Sequence, residues 1–462
     1  MPTTLGRIDA MPPTDSSKDA FPEGMRNVYL FTVFNALSYQ IVLSSPMVLY
    51  AKSLDASATV LGILAGMMPM LVIFQIPAAK HVARVGYKKF ILAGWGTRVL
   101  FIFGLMLVPM TGGFLDNPTR LALLLMLLFG FNLSRGISSC AWLPWIAAII
   151  PGGVRGRYLL IDAACLNLTS FVVFVFVAFC LGVNPQPWQF GALFAFSAVM
   201  GAISLSFVRR IPEPATPEHV KSSNTPVPWK AIAAHPPFRK LMEMVVVWSV
   251  AYGGLNTFVV SFLKTESRLS ERDIMLVTSV AFLGGLGSLW FMGGSRLDRF
   301  GSKPVITASL LGWLGIMCGW ALLAGRILPL SLTMLLTLQF LMGLGFALVN
   351  MATTRLAMAV VPPMGRDHFF ALYSVVGNLT LGLAPVGWGL IIDGLRSVNT
   401  NWHGLMLNRY TLFFAAVALV FMAAMVMCRR LKEPEAASME ELLKDILRQS
   451  PLRSWFRFGP RS

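Results

Sequence analysis

The stretch GGSRLDRFGSKPV, Gly293 to Val305, places two arginines, an aspartate and a lysine between two long apolar runs. A related stretch, AAKHVARVGYKKF from Ala78 to Phe90, lies 215 residues earlier and superimposes Gly86 on Gly301, Arg84 on Arg299 and Lys88 on Lys303. An offset of 211 matches further landmarks. Ile149-Ile150-Pro151 falls on Val360-Val361-Pro362, Arg155 on Arg366, and Asn167-Leu168-Thr169 on Asn378-Leu379-Thr380. Two neighbouring offsets agreeing at separate places mark an internal duplication.

Both charged stretches separate runs long enough to cross about 30 Å of hydrocarbon as helices. Twelve such runs are read, over 27–50, 58–79, 90–110, 120–147, 159–182, 188–208, 240–263, 273–293, 304–324, 330–358, 368–392 and 409–428. The 462 residues are 56% hydrophobic and 13% charged, with a mean hydropathy of +0.68. Soluble domains average roughly 45–50% and about 25%. The expectation is an all-α integral membrane protein with twelve transmembrane helices in two six-helix bundles. The proline-rich break from Arg209 to Lys240 divides the chain: tail 1–25, first bundle 26–208, central loop 209–239, second bundle 240–428, tail 429–462. Six spans per half give both copies the same orientation, related by an axis along the membrane normal.

The net charge of +17 invites a nucleic-acid reading, but its placement argues otherwise. With the N-terminus inside, 27 of the 38 lysines and arginines fall on the inner side, eight on the outer side, and Arg98, Arg135 and Arg355 within spans. This is the positive-inside asymmetry. It predicts a multi-pass protein of the cell membrane with both termini cytoplasmic and no nucleic-acid partner. The first 25 residues lack a signal-peptide pattern, and the five cysteines all lie in apolar runs, without metal spacing. His81, His219, His235, His368 and His403 form no metal-like set, and no Gly-x-Ser-x-Gly or phosphate-cradling loop occurs. No enzyme, cofactor or metal is expected.

Twelve spans, a basic central loop and Gly-x-x-x-Asp-Arg-x-Gly-x-Lys after the second span of a half resemble the major facilitator superfamily, over roughly residues 26 to 428. Gly294, Asp298, Arg299, Gly301 and Lys303 carry the motif. The first copy departs from it: Ala79 replaces the first glycine, Ala83 the aspartate and Tyr87 a basic residue. Gly294 allows close helix approach, Gly301 a tight turn, and Asp298 can accept from Arg299 or a helix N-terminus. The motif is expected to act as an inner latch, with plain anchoring of a short loop as the alternative. The family's fourth-span Arg-x-x-Gln-Gly is also altered. Aligned on Gly136, Asn132 takes the arginine position and Arg135 the glutamine position. The fifth-span exporter Gly-Pro is missing from Asp162–Phe176. Both departures weigh against the drug/proton antiporter branch.

The resemblance implies that spans 1, 4, 7 and 10 line a central cavity. Polar residues on single helical faces there are Asn35, Ser38 and Tyr39; Arg135, Ser138, Ser139 and Trp142; Trp248, Tyr252 and Asn256; and Asn350, Thr353 and Thr354. The expected substrate contacts are Asn35, Tyr39, Arg135, Trp142, Trp248, Tyr252, Asn256 and Asn350, since polar groups in hydrocarbon need protein or water around them. Simple helix-to-helix bonding is the competing reading for the small polar and Trp positions. Arg98, in a peripheral span, is expected to be structural or to snorkel. Arg355 fits gating and cavity roles equally. Asp162 and Glu243 are the candidate coupling acids, with helix capping as the alternative, and Asp162 is a candidate partner for Arg84 or Arg157. Ser438–Gln449 reads as an amphipathic helix on the lipid surface, with a solvated, partner-binding tail as the alternative. The expected function is secondary active or facilitative transport of a small polar or organic-anion solute by a monomer. Export of amphipathic compounds and a transport-inactive sensor are the alternatives.

Overall fold

The computed structural model describes residues 24–150, 155–213, 235–292, 301–360 and 366–431. Twelve helices are long and apolar enough to cross a membrane. They are spans 1 to 12: Met25–Ser53, Ala58–Ala79, Tyr87–Gly113, Asn117–Ile149, Gly156–Leu181, Pro187–Arg210, Pro236–Thr265, Glu271–Trp290, Ser302–Ala324, Leu332–Met358, Leu372–Gly394 and Arg409–Arg429. The face where span 1 starts and span 12 ends is here the tail face, and the opposite one the far face.

Span 1 packs on spans 5 and 6, and span 3 on spans 4 and 6. The second half repeats the pattern: span 7 on spans 11 and 12, and span 9 on spans 10 and 12. Across the halves, span 2 lies along span 11 and span 5 along span 8. The duplication is visible in the backbone. Gly86 and Gly301, at the turns into spans 3 and 9, hold φ of 89° and 82°, a region that costs residues with a Cβ.

The paired lysines also do the same work in each half. Lys88 Nζ donates to the carbonyl of Arg209 at 3.2 Å. Lys303 Nζ donates to the carbonyls of Arg429 at 3.2 Å and Leu431 at 2.7 Å. An ammonium at the end of span 6 or 12 meets unpaired carbonyls and the negative end of the helix dipole. Each clamp ties the last helix of a half to its third. Where the first copy lacks its acid, Glu213 accepts from the Lys88 amide at 3.0 Å, placing a carboxylate on the N-terminus of span 3. Gly294, Asp298 and Arg299 lie outside the described residues, as does the stretch 438–449.

The far ends of the two halves are in backbone contact. A Cβ on Gly62 would strike the carbonyl of Pro385, one on Gly66 the carbonyl of Gly382, and one on Gly389 the carbonyl of Ala58. Small residues let two helices approach this closely in a membrane, where packing rather than water drives association. Asp393 closes the seam. Its carboxylate accepts from the amides of Ala58 at 3.0 Å and Thr59 at 2.8 Å, and from the Thr59 hydroxyl at 2.6 Å. One half thus caps a helix of the other. The Arg272 amide also donates to the Gly182 carbonyl at 3.0 Å, joining spans 8 and 5.

Two spans break at related places. Span 1 is interrupted at Ser44, and span 7 at Gly253 and Gly254, the latter at φ 74°. Trp388 Nε1 donates to the Val250 carbonyl at 2.7 Å, taking up an acceptor that the broken helix leaves open. A hairpin not anticipated from the sequence joins spans 11 and 12 on the far face, where Asn399–Trp402 (β1) pairs antiparallel with Leu405–Asn408 (β2). Its turn residues His403 and Gly404 both have positive φ, as a two-residue hairpin turn requires.

The far seam makes a testable prediction. Asp393→Asn removes a charged cap whose loss costs about 1 kcal/mol, and so shifts the closed-to-open ratio of the far face about five-fold. Spin labels at positions 55 and 396, in a background with the five native cysteines replaced, read the population of the longer distance. An unchanged distance distribution would show that the cap does not hold the seam.

Candidate functional site

A cavity of about 910 Å³ lies between the halves, walled by spans 1, 5, 7, 8 and 10. It starts among Ser44, Asn256, Thr278 and Gln339 and reaches Gly156, Leu159, Leu289 and Met358 at the tail ends of spans 5, 8 and 10. Leu159 is 59% exposed and Met358 53%, so the walls stand apart there. At the other end the far seam and the Phe174–Phe282 contact, ring centroids 4.9 Å apart, hold the halves together. The arrangement is closed on the far face and faces the tail side.

Of the residues proposed from sequence, Tyr252, Asn256 and Asn350 stand in the cavity wall. Tyr252 is stacked between Trp248, at 5.5 Å and 9°, and Phe346, at 4.6 Å and 16°. Trp248 therefore backs the wall, buried to 8% exposure. Trp142 sits elsewhere, in an aromatic cluster with Phe31, Trp95 and Trp145. Ser138 and Ser139 bond back to carbonyls of their own helix, which is common for buried hydroxyls in helices.

Asn35, Tyr39 and Arg135 belong to a charged group inside the first half. Arg98, 2% exposed, donates to Asn35 Oδ1 at 2.7 Å and lies 5.1 Å from the Trp95 ring and 5.9 Å from the Phe131 ring. Amide, cation and two rings together replace the water that a buried guanidinium gives up. The ionisable neighbours of Tyr39 are Arg135, Asp162 and Arg98. Asp162 accepts from the Thr32 hydroxyl at 2.6 Å, a partner not foreseen from the sequence. Glu243 pairs with Arg239 at 3.6 Å, one helical turn away, both side chains well exposed. Pairs of this kind contribute a few tenths of a kcal/mol. Arg84 is exposed. Arg355 stands in the cavity wall toward the tail end and donates to Ser302 Oγ at 3.1 Å.

Gln40, Asn167 and Gln339 are wall residues that were missed in the sequence. Gln40 donates to Ser170 Oγ at 2.7 Å and accepts from Ser44 at 3.1 Å, joining spans 1 and 5. Gln339 is fully buried, and its amide nitrogen and oxygen have no partner. A signal existed: Gln339, Phe346 and Asn350, spaced by 7 and 11 residues, share one helical face. Among the described residues no group of three His, Cys, Asp or Glu could hold a metal.

Two duplicated six-helix halves around a central cavity form the architecture of a membrane carrier. The chain belongs to the Major Facilitator Superfamily, which matches residues 28–293 and 250–459. The uncharacterized MFS-type transporter YhhS of Salmonella paratyphi C is 26% identical over 262 residues, covering 56% of each chain. The match therefore spans about half the length of this curated relative. Among solved structures, a D-xylose-proton symporter superimposes with a TM-score of 0.69 at 14% identity, over 90% of this chain and 100% of that one. A point mutant of the nucleoside transporter NupG gives 0.68 at 12%, over 89% and 100%. At these identities the likeness is one of fold. Its family is one of membrane transporters.

The two environments of asparagine separate experimentally. Asn35→Leu strips a buried guanidinium of its acceptor and costs about 2 kcal/mol, read as a lower melting temperature in detergent. Asn256→Leu, in the cavity wall, leaves the melting temperature nearly unchanged. Equal melting shifts for the two variants would contradict this division.

Proposed function

We propose that the chain is a secondary active or facilitative transporter that moves a small polar or organic-anion solute across the cell membrane by alternating access. The two bundles, 26–208 and 240–428, rock about the central cavity, and the tail face is cytoplasmic, in keeping with the positive-inside excess. The observation that carries this reading is the cavity of about 910 Å³, walled by both halves and closed at one end. Its wall is mostly apolar, with a few polar groups such as Asn256, Asn350 and Tyr252 that can orient a polar solute. Solved neighbours described as carriers of D-xylose and of nucleosides support the same class.

Gly294, Asp298, Arg299 and Lys303 are proposed as the tail-face latch, and Arg84 and Gly86 as its weaker first-half copy. Of the two acids, Asp162 is the better coupling candidate, since it lies among the charged groups of the first half. Glu243 faces outward in its pair with Arg239. The protein works as a monomer in lipid, without a cofactor.

Counterflow into proteoliposomes with sugars, nucleosides, organic acids and peptides tests the proposal. At least one solute is expected to exchange in a saturable way. With Asp162→Asn, exchange is expected to persist while accumulation driven by a proton gradient falls at least ten-fold. Failure of every solute to move would favour a transport-inactive sensor.

A further inference from the structure

The cavity wall divides its polar groups by kind. Five carboxamides line it, on Gln40, Asn167, Asn256, Gln339 and Asn350, and among the described wall residues one carries a formal charge. That residue, Arg355, lies toward the tail end and is engaged with Ser302. The guanidinium groups of Arg98 and Arg135 are not part of this wall. They belong to the charged group of the first half, in which Arg98 is buried and Arg135 partly exposed. An anion carried to the middle of this cavity would leave water without a counter-charge, at a cost of several kcal/mol. An uncharged solute needs only matched hydrogen bonds.

Gln339 identifies where those bonds are made. It lies seven residues from the start of span 10, so about 10 Å below its far end, in the part of the cavity that the far seam closes. Its side chain borders the cavity but is fully buried in this state, and neither its nitrogen nor its oxygen has a partner. Two of the other carboxamides are committed: Gln40 to Ser170 and Ser44, and Asn167 to the Ala163 carbonyl at 2.9 Å. A buried amide with both groups idle costs stability unless something arrives to pair with them. A carboxamide presents a donor and an acceptor side by side, the complement of two adjacent hydroxyl groups. On the same face of span 10, Phe346 is 38% exposed and stacks on Tyr252 at 4.6 Å, providing an aromatic surface for the apolar side of a ring.

We propose that the solute is an uncharged ring compound bearing adjacent hydroxyl groups, such as a free sugar or cyclic polyol, and that Gln339 is the residue that reads those hydroxyls at the closed end of the cavity. This rests on the transport reading for its setting. Its test separates the two.

The full chain in detergent is titrated with D-glucose, D-xylose, myo-inositol and uridine, and in parallel with succinate and citrate. Binding is followed through fluorescence, with Trp248 stacked on Tyr252 beside the cavity. At least one neutral compound is expected to bind saturably and neither acid to do so. Gln339→Leu, close in volume, should weaken that binding at least ten-fold while raising the melting temperature of the unliganded protein, because an idle polar pair is replaced by packing. A structural glutamine would behave oppositely, losing stability and keeping affinity. Arg135→Ala should leave neutral binding within two-fold. Binding of an acid that depends on Arg135, neutral binding indifferent to Gln339→Leu, or no binding by any neutral compound each overturns the proposal. Neutral binding that requires Gln339 without flux in proteoliposomes would support the site and reject transport.

Discussion

Backbone against backbone, along spans 2 and 11, is the contact on which the observed state depends. Gly62 and Gly66 on one side and Gly382 and Gly389 on the other let the carbonyls of the opposite helix come closer than any Cβ would allow. In hydrocarbon there is no hydrophobic drive between helices, so shape and dipole interactions must supply the attraction. The closed far end makes a blind cavity, the cavity gives polar groups in mid-membrane a reason to exist, and the lysine clamps tie the last helix of each half to its third.

The halves share a plan but not a chemistry. The first gathers charged groups at mid-depth: Arg98 on Asn35, Asp162 on Thr32, and Arg135 near Tyr39. The second presents aromatic rings and neutral amides to the cavity through Tyr252, Asn256, Gln339 and Asn350. Duplication supplied two copies of a scaffold, and the copies have diverged so that one carries a polar interior and the other most of the wall.

Much of the fold was legible in the sequence because its cause is local. Apolar length fixes the spans, and the glycine and lysine repeats mark turns and clamps that recur with the same backbone conformation. The site was legible only in part. Tyr252, Asn256 and Asn350 could be chosen by depth and face alone. Asn35 and Trp142 could not be sorted from them, because a polar or aromatic residue at mid-depth looks the same whether it faces a cavity or a buried arginine. Gln339 gave a weak signal in a long apolar run, and its idle amide has meaning only once spans 8 and 10 stand side by side. Asp393 and Glu213 act on helix ends more than a hundred residues away, a relation that no local pattern encodes.

In the proposed transport cycle, Asp393 also bears on how quickly the far face can open. A gate held by oily side chains must expose them to water as it opens, and that exposure adds to the barrier. Here the contacts at the outermost edge are a carboxylate, a hydroxyl and two amides. Water replaces each of those bonds as soon as it breaks. The edge of the seam can therefore unfasten in small hydrated steps, leaving the glycine contacts below it as the main barrier to opening.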